Sequence, residues 1–489
     1  MENITAEQPE VMARAIARVP SSPYCWGLTP QHILAPQRRS VSTSLPHIPN
    51  EIYLEIFDYL IPSEALSFED YKATLSTLSL VCRFFRSVCL PRRLVFIDRK
   101  GSQKTHVDFC HAITKPPRLA VRLLDYVRYL GFSDWMPPSE ESAWVTRTVL
   151  EKYTTVLGKF MLVRVSFSTT LHDISITNCT FGSYDSKRDR SFRKRPHVPW
   201  TRLIFSANRD YAPYLASIAR LVASPHLVSF NGGEWDVAQA LLSLPVGFQL
   251  KHLAVPFGSA DTTFLSNVLS RIPTIEVLAF PSSIRISDFE PAPRLNIPAD
   301  ALPNLHALQC TWRYVEQLVT GRPVRCIDVT ALCCHDFSVI PPTFFYNRNI
   351  GPSPDMLKAL THSTASIRYL TVPAVVFTQN SPIDHLAELE QLTLYCPWGF
   401  SRSFMRLLLM RDDKPVHPTV RSVTVYIHAF APSDPYGAWI PVYDLIKERR
   451  LIRGFFAKAF PGATTIAFRK QIEWRKGALG SLWSSCGTT

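Results

Sequence analysis

The sequence predicts an α/β protein: a small N-terminal helical module, then an irregular solenoid of strand–helix repeats with a curved parallel sheet. Three observations carry this prediction. Residues 48–89 hold two apolar stripes at helical spacing, each followed by a proline. From residue 99 onward, one short apolar pattern recurs at intervals along the chain. Many of the segments between its copies place apolar residues at three- and four-residue steps. The length of 489 residues, with 46% hydrophobic and 19% charged residues, suits a small module plus a large repeat array that buries a core.

Residues 1–43 carry prolines and serines without a sustained period and read as a flexible tail, with a weak, short helical spacing at Met12, Ile16 and Val19. The first helix opens at Pro49, where a missing N–H loses no partner, and Glu51 suits the positive N-terminal end. Ile52, Ile56 and Leu60 make one row at four-residue steps, and Tyr53 with Phe57 makes a second beside it. Pro62 stops this helix. Leu78, Val81, Phe85 and Val88 then fall at helical offsets and predict one further helix, ended by Pro91. The connection between Leu60 and Leu75 predicts an extended loop.

The order of residue types narrows this reading. Ile48-Pro49-Asn50-Glu51-Ile52, then Ile56-Phe57-Asp58-Tyr59-Leu60, then Leu75-x-x-Leu78-x-Leu80-Val81-Cys82-Arg83-x-Phe85 resembles the F-box family pattern. Ile48 stands for the usual Leu, Phe85 for the usual Trp, and the 60–75 connection is longer than typical. The resemblance covers residues 44–98, about a tenth of the chain. It implies a helix-in-groove contact with a Skp-type adaptor, made by apolar anchors. Position by position, the implied adaptor contacts are Pro49, Ile52, Ile56, Leu60, Leu78, Val81, Cys82 and Phe85. Some of these must instead hold the helices together, and the sequence alone does not sort the two groups.

The repeating pattern is apolar-x-x-apolar-x-apolar. It runs through Val127–Phe132, Leu171–Ile176, Leu250–Val255, Ile275–Phe280, Leu305–Cys310, Val324–Val329, Ile367–Val372, Leu389–Leu394 and Val420–Val425. Looser copies sit at Trp200–Phe205, Leu227–Phe230 and Ala463–Phe468. From Leu250 the start-to-start steps are 25, 30, 19, 43, 22 and 31 residues. The step of 43 predicts one hidden unit of about half that length, since 337–346 shows no copy. Such spacing resembles leucine-rich repeats. Tyr211–Ala223, Asp261–Arg271, Asp355–Leu360 and Ser403–Arg411 read as intervening helices. Together they predict a repeat domain over 99–475 and a C-terminal tail over 476–489.

Strand alternation turns the last two apolar positions of each copy to the core and their neighbours to the concave surface. Concave positions include Asp173, Ser175, His252, Gln309, Thr371, Thr393 and Thr424. The later repeats hold the most aromatics, so Asp328, Tyr369, Gln391, Tyr395, Tyr426 and Arg469 are the candidate target contacts. Tyr and Arg serve as anchors because each joins area to hydrogen bonding.

Composition limits the partners. Eleven scattered cysteines without a CxxC pair, and no secretory signal, predict reduced thiols in the cytoplasm or nucleus. No apolar segment is expected to span a membrane. The net charge of +13 is densest at Lys187–Arg195. That run reads as a solvated loop, as a nuclear localisation signal, or as a phosphate contact with Phe192 stacking on a base. Elsewhere the positive charge is spread along the chain, which argues against nucleic acid. Phosphate-loop, GxGxxG, GxSxG and HExxH signatures are absent. Cys333-Cys334-His335-Asp336 lacks a second ligand pair, so no metal and no cofactor is expected.

The resemblance therefore implies a non-catalytic substrate-recognition subunit of an SCF-type E3 ubiquitin ligase, tethered to a Skp-type adaptor and a cullin, with an unnamed target protein on the repeats. It resembles divergent F-box families of mushroom-forming fungi. A non-ligase F-box scaffold, and a nuclear nucleic-acid-associated protein using 187–195, are the alternatives.

Overall fold

The computed structural model describes residues 49–59, 68–100, 126–133, 171–179, 200–207, 219, 222–233, 235–244, 247–256, 262–280, 294–298, 300–329, 358–373, 385–396, 416–427, 445–468, 472–477 and 483–487. The chain forms two compact units, 1–226 and 227–489.

The first unit begins with three helices where the spacing predicts two: α1 (Asn50–Tyr59), α2 (Phe68–Leu78) and α3 (Arg83–Val95). The stripe from Leu78 to Val88 is broken at 79–82. Leu80 and Val81 close a tight turn by donating their N–H groups to Thr77 O and Leu78 O. Cys82 then starts α3, its sulfur accepting the Phe85 N–H at 3.4 Å, so it fills a helix-start orphan donor. Part of the connection expected to be a loop is α2. Pro91 does not end the last helix, which runs through it to Val95. The lost backbone bond is outweighed by burial: Pro91 and Arg92 are both buried, and the Arg92 guanidinium lies 5.7 Å from the Phe57 ring centroid.

Next come β1 (Phe96–Lys100), β2 (Tyr129–Ser133), β3 (Asp173–Cys179) and β4 (Arg202–Ala207), each parallel to the next. Ile97, Leu130, Ile174 and Leu203 stand in one register row, all of them buried.

The second unit repeats this arrangement. Its strands are β5 (Ser229–Gly232), β6 (His252–Ala254), β7 (Val277–Ala279), β8 (Ala307–Gln309), β9 (Cys326–Asp328), β10 (Tyr369–Pro373), β11 (Gln391–Cys396), β12 (Ser422–Ile427) and β13 (Thr465–Phe468). All pair parallel in sequence order. The central residue of every copy meets that of the next: Phe230, Leu253, Leu278, Leu308, Ile327, Leu370, Leu392, Val423 and Ile466. Each is buried, and a one-residue slip would turn the whole row to water. Helices α4 (Trp235–Leu242), α5 (Thr262–Arg271) and α6 (Trp312–Val319) bury apolar stripes between strands. This is the leucine-rich-repeat-like ladder that the sequence predicts.

A second device sets the register. The residue after the first apolar position lends its carbonyl to two N–H groups of the next copy. Lys251 O accepts from Glu276 and Val277, Glu276 O from His306 and Ala307, and His306 O from Arg325 and Cys326. The same pairing recurs at Arg325, Arg368, Glu390 and Arg421.

Two expectations fail here. No strand of a hidden unit stands between β9 and β10, which pair directly, and residues 330–357 of the step of 43 lie outside the described residues. The end of the chain is not all tail: β14 (Ile472–Lys476) and β15 (Trp483–Gly487) continue the sheet antiparallel from β13. Trp474 and Trp483 drive this, both buried, with the Trp474 indole N–H donating to Glu448 at 2.8 Å. Of Asp355–Leu360, read as a helix, only 358–360 lie among the described residues, and Ala359 and Leu360 open a 3-10 turn, Ala359–His362. Of the other expected helices, Asp261–Arg271 matches α5, whereas most of Tyr211–Ala223 and all of Ser403–Arg411 lie outside the described residues.

Arg322 holds one connection in place. Its buried guanidinium donates to the carbonyls of Pro298, Ala301, Gln317 and Thr320, two of them at the negative end of α6.

Leu308→Ala should destabilise the second unit by about 2–5 kcal/mol in a denaturant titration, because a central side chain of the ladder leaves a cavity. Gly462→Ala should also lower the denaturation midpoint, since a Cβ there would run into the Pro418 carbonyl oxygen.

Candidate protein-binding surfaces

The helical module resolves which apolar residues hold it together. Phe57, Tyr71, Leu75, Phe84, Val88 and Cys89 form its buried core, with Tyr53, Leu54, Leu78, Cys82 and Phe85 packed against them. Tyr53 and Phe57 each meet Phe85 edge-on at 5.2 Å. The second row of α1 is therefore internal. The first row points out: Ile52 is 45% exposed and Ile56 50%. Pro49 is exposed as well. In the turn between α2 and α3, Leu80 is 86% exposed and Val81 63%.

Of the eight implied adaptor contacts, Pro49, Ile52, Ile56 and Val81 thus face water, and Leu78, Cys82 and Phe85 face the module's own core. Leu60 lies outside the described residues. Leu80, the most exposed of these apolar side chains, stands beside Val81 in the motif but is not among the implied contacts. Burial pushes the Cys89 thiol up to about 11, opposed by nearby Arg92. A buried thiol of this kind serves packing. Cys82, Cys89, Cys179, Cys310 and Cys326 form no disulfide.

On the ladder, the candidate target contacts gather on four consecutive strands. Asp328 is the register partner of Thr371, and Gln309 donates to its carboxylate at 3.3 Å. Tyr369 pairs in register with Cys326 and Gln391, and Tyr395 with Tyr426. Tyr369 is 39% exposed and Gln391 is exposed. Thr371, Thr393 and Thr424 form a register row between them, each half-buried. Arg469 lies outside the described residues, as do the basic run 187–195 and the 333–336 cluster.

In the first unit the concave reading is corrected at one position. Ser175 is only 3% exposed, and Ser133 and Thr177 are buried too. Alternation sets the face of a residue but not what covers that face. Asp173 remains half-buried. Burial raises its carboxyl above the ordinary range, opposed by Arg202 and His172.

Sequence reasoning also missed a charged rim. The first variable slot of each copy holds Arg128, His172, Lys251, Glu276, His306, Arg325, Arg368, Glu390 or Arg421, and the signal was the slot's own recurrence. Two couples of adjacent members pair, Lys251 with Glu276 at 2.7 Å and Arg368 with Glu390 at 3.6 Å. These exposed pairs contribute little stability but shape the local field.

Among the described residues, no helix is long and apolar enough to cross a membrane, and no group of three His, Cys, Asp or Glu residues could hold a metal.

With this geometry in place, one comparison bears on class. Residues 45–95 match the model of the F-box-like family. The chain is also similar to an internalin from Listeria monocytogenes, at 12% identity and a TM-score of 0.21. That likeness covers 63% of this chain and 65% of the internalin, just under two thirds of its length. No curated protein matches the chain.

Asp173→Asn tests the strand environment in the first unit. A raised folded pKa favours the fold below about pH 4, and that contribution is lost as pH rises through the raised value. Wild type should therefore lose more stability than the variant between acid and neutral pH, read as Tm across that range.

Proposed function

We propose that this chain is the substrate-recognition subunit of an SCF-type E3 ubiquitin ligase, docking on a Skp-type adaptor through the F-box and holding a target protein on the ladder. The observation that carries this is the division of the module matched by the F-box-like family. Its aromatic row builds the core while Ile52, Ile56, Leu80 and Val81 stay in water. Half-exposed isoleucines one helical turn apart, and an exposed Leu-Val turn in the same module, are the kind of apolar anchors a helical partner covers.

The ladder supplies a surface with polar and aromatic side chains on a rigid frame. Asp328, Tyr369, Gln391, Tyr395 and Tyr426 are the proposed target contacts. The chain contributes no reacting group in this reading. Holding a target lysine near a charged conjugating enzyme raises its local concentration, and that proximity is the catalytic contribution. The work would take place in the cytoplasm or nucleus.

Co-purification of the full chain with a Skp-type adaptor and a cullin tests the proposal. Wild type should retain both. Ile52→Asp with Ile56→Asp should lose them while circular dichroism and Tm stay near wild type, because both side chains already face solvent. Leu75→Ala should instead lower Tm. Retention of the adaptor without the cullin would make the chain a non-ligase scaffold. Loss of both from wild type would end the reading.

A further inference from the structure

The charged rim of the second unit is not uniform. From β6 to β7 it is neutral, with Lys251 and Glu276 paired at 2.7 Å. From β8 to β12 it reads His306, Arg325, Arg368, Glu390 and Arg421, three arginines against one carboxylate. That carboxylate is taken by Arg368 at 3.6 Å. Arg325 and Arg421 are exposed, and no described carboxylate lies within ion-pair distance of either. Tyr369, 39% exposed, sits on β10 between them.

We infer that this rim binds an extended acidic segment of the target, with carboxylates seated on Arg325 and Arg421 and an apolar side chain on Tyr369. The inference rests on the target-binding reading of the ladder and names the chemistry of its partner. Arg325, just before β9, and Arg421, just before β12, are three strand spacings apart, about 14 Å. An extended peptide covers that distance in about four residues. Two acidic residues four apart, with an apolar residue between them, therefore match the spacing of both arginines and the tyrosine. A nucleic acid fits the same rim less well. Its continuous phosphates would pass Glu390, which stands between Arg368 and Arg421, and would approach Asp328 on β9. Separate carboxylates meet the two arginines and avoid both.

The test uses the full chain and a fluorescein-labelled peptide of three Glu-Leu-Ser-Leu repeats, read by fluorescence anisotropy. Controls are the same peptide with Lys for Glu, and an oligothymidylate. Wild type should bind the acidic peptide about tenfold more tightly than the lysine one, less so at high salt. Arg325→Glu with Arg421→Glu should reverse that order. Arg449→Glu with Arg450→Glu, the same charge change on exposed helix positions elsewhere, should leave it unchanged. No preference in wild type, equal loss from both double variants, or rim-dependent binding of oligothymidylate above that of the peptide would each overturn the inference. Adaptor co-purification is run on the same samples. If it succeeds while the peptide fails, only this inference falls; if wild type loses the adaptor, the ligase reading falls whatever the peptide does.

Discussion

The register of the parallel ladder is the constraint on which the second unit depends. Nine central residues, Phe230 to Ile466, stand in one row, and all are buried. Burial of the row makes any slip costly, because strand faces alternate with every residue. The shared carbonyl at the start of each copy adds a geometric lock, two N–H groups converging on one oxygen at the same slot. With both in place, the connections can vary. Steps from 19 to 43 residues leave the pairing intact, since loop closure costs grow only slowly with length. The rim of charged residues is a by-product of the same lock. The residue whose backbone closes the step keeps its side chain at the strand entrance.

The helical module follows a comparable rule on a smaller scale. One helix, α1, carries two apolar rows, and only one can face the interior of three short helices. Tyr53 and Phe57 are aromatic, and both meet Phe85 edge-on. The aliphatic row, Ile52 and Ile56, is left outside. At the other end of the module, Cys82 takes up the start of α3 with its sulfur, and Leu80 and Val81 are carried into water by the turn this creates. A Val-Cys-Arg sequence therefore separates an exposed residue from a capping one at adjacent positions.

Where sequence reasoning missed, the competing physics is identifiable. The expected long helix from Leu78 breaks because Cys82 offers the backbone a new start, a local choice that periodicity does not register. Pro91 stays within α3 because its own burial and that of Arg92, whose guanidinium lies over Phe57, offset one missing hydrogen bond. The final strands escaped notice because their pairing is antiparallel and held by two tryptophans, not by the repeated motif. Ser175 read as a surface residue because alternation speaks only of faces. Among the candidate contacts, Asp328, Tyr369, Gln391, Tyr395 and Tyr426 do fall on consecutive strands, whereas Cys82, Leu78 and Phe85 turn inward.

By itself the sequence determined the repeat pattern, the class of fold and the presence of the N-terminal module, because hydrophobic spacing and motif order are local properties of the chain. Only the tertiary structure decided which of two apolar rows is core and which is surface, which strands are neighbours across the long step, and how the arginines of separate repeats line one rim. Those outcomes depend on distances between residues far apart in sequence, and burial decides them only after the elements have packed.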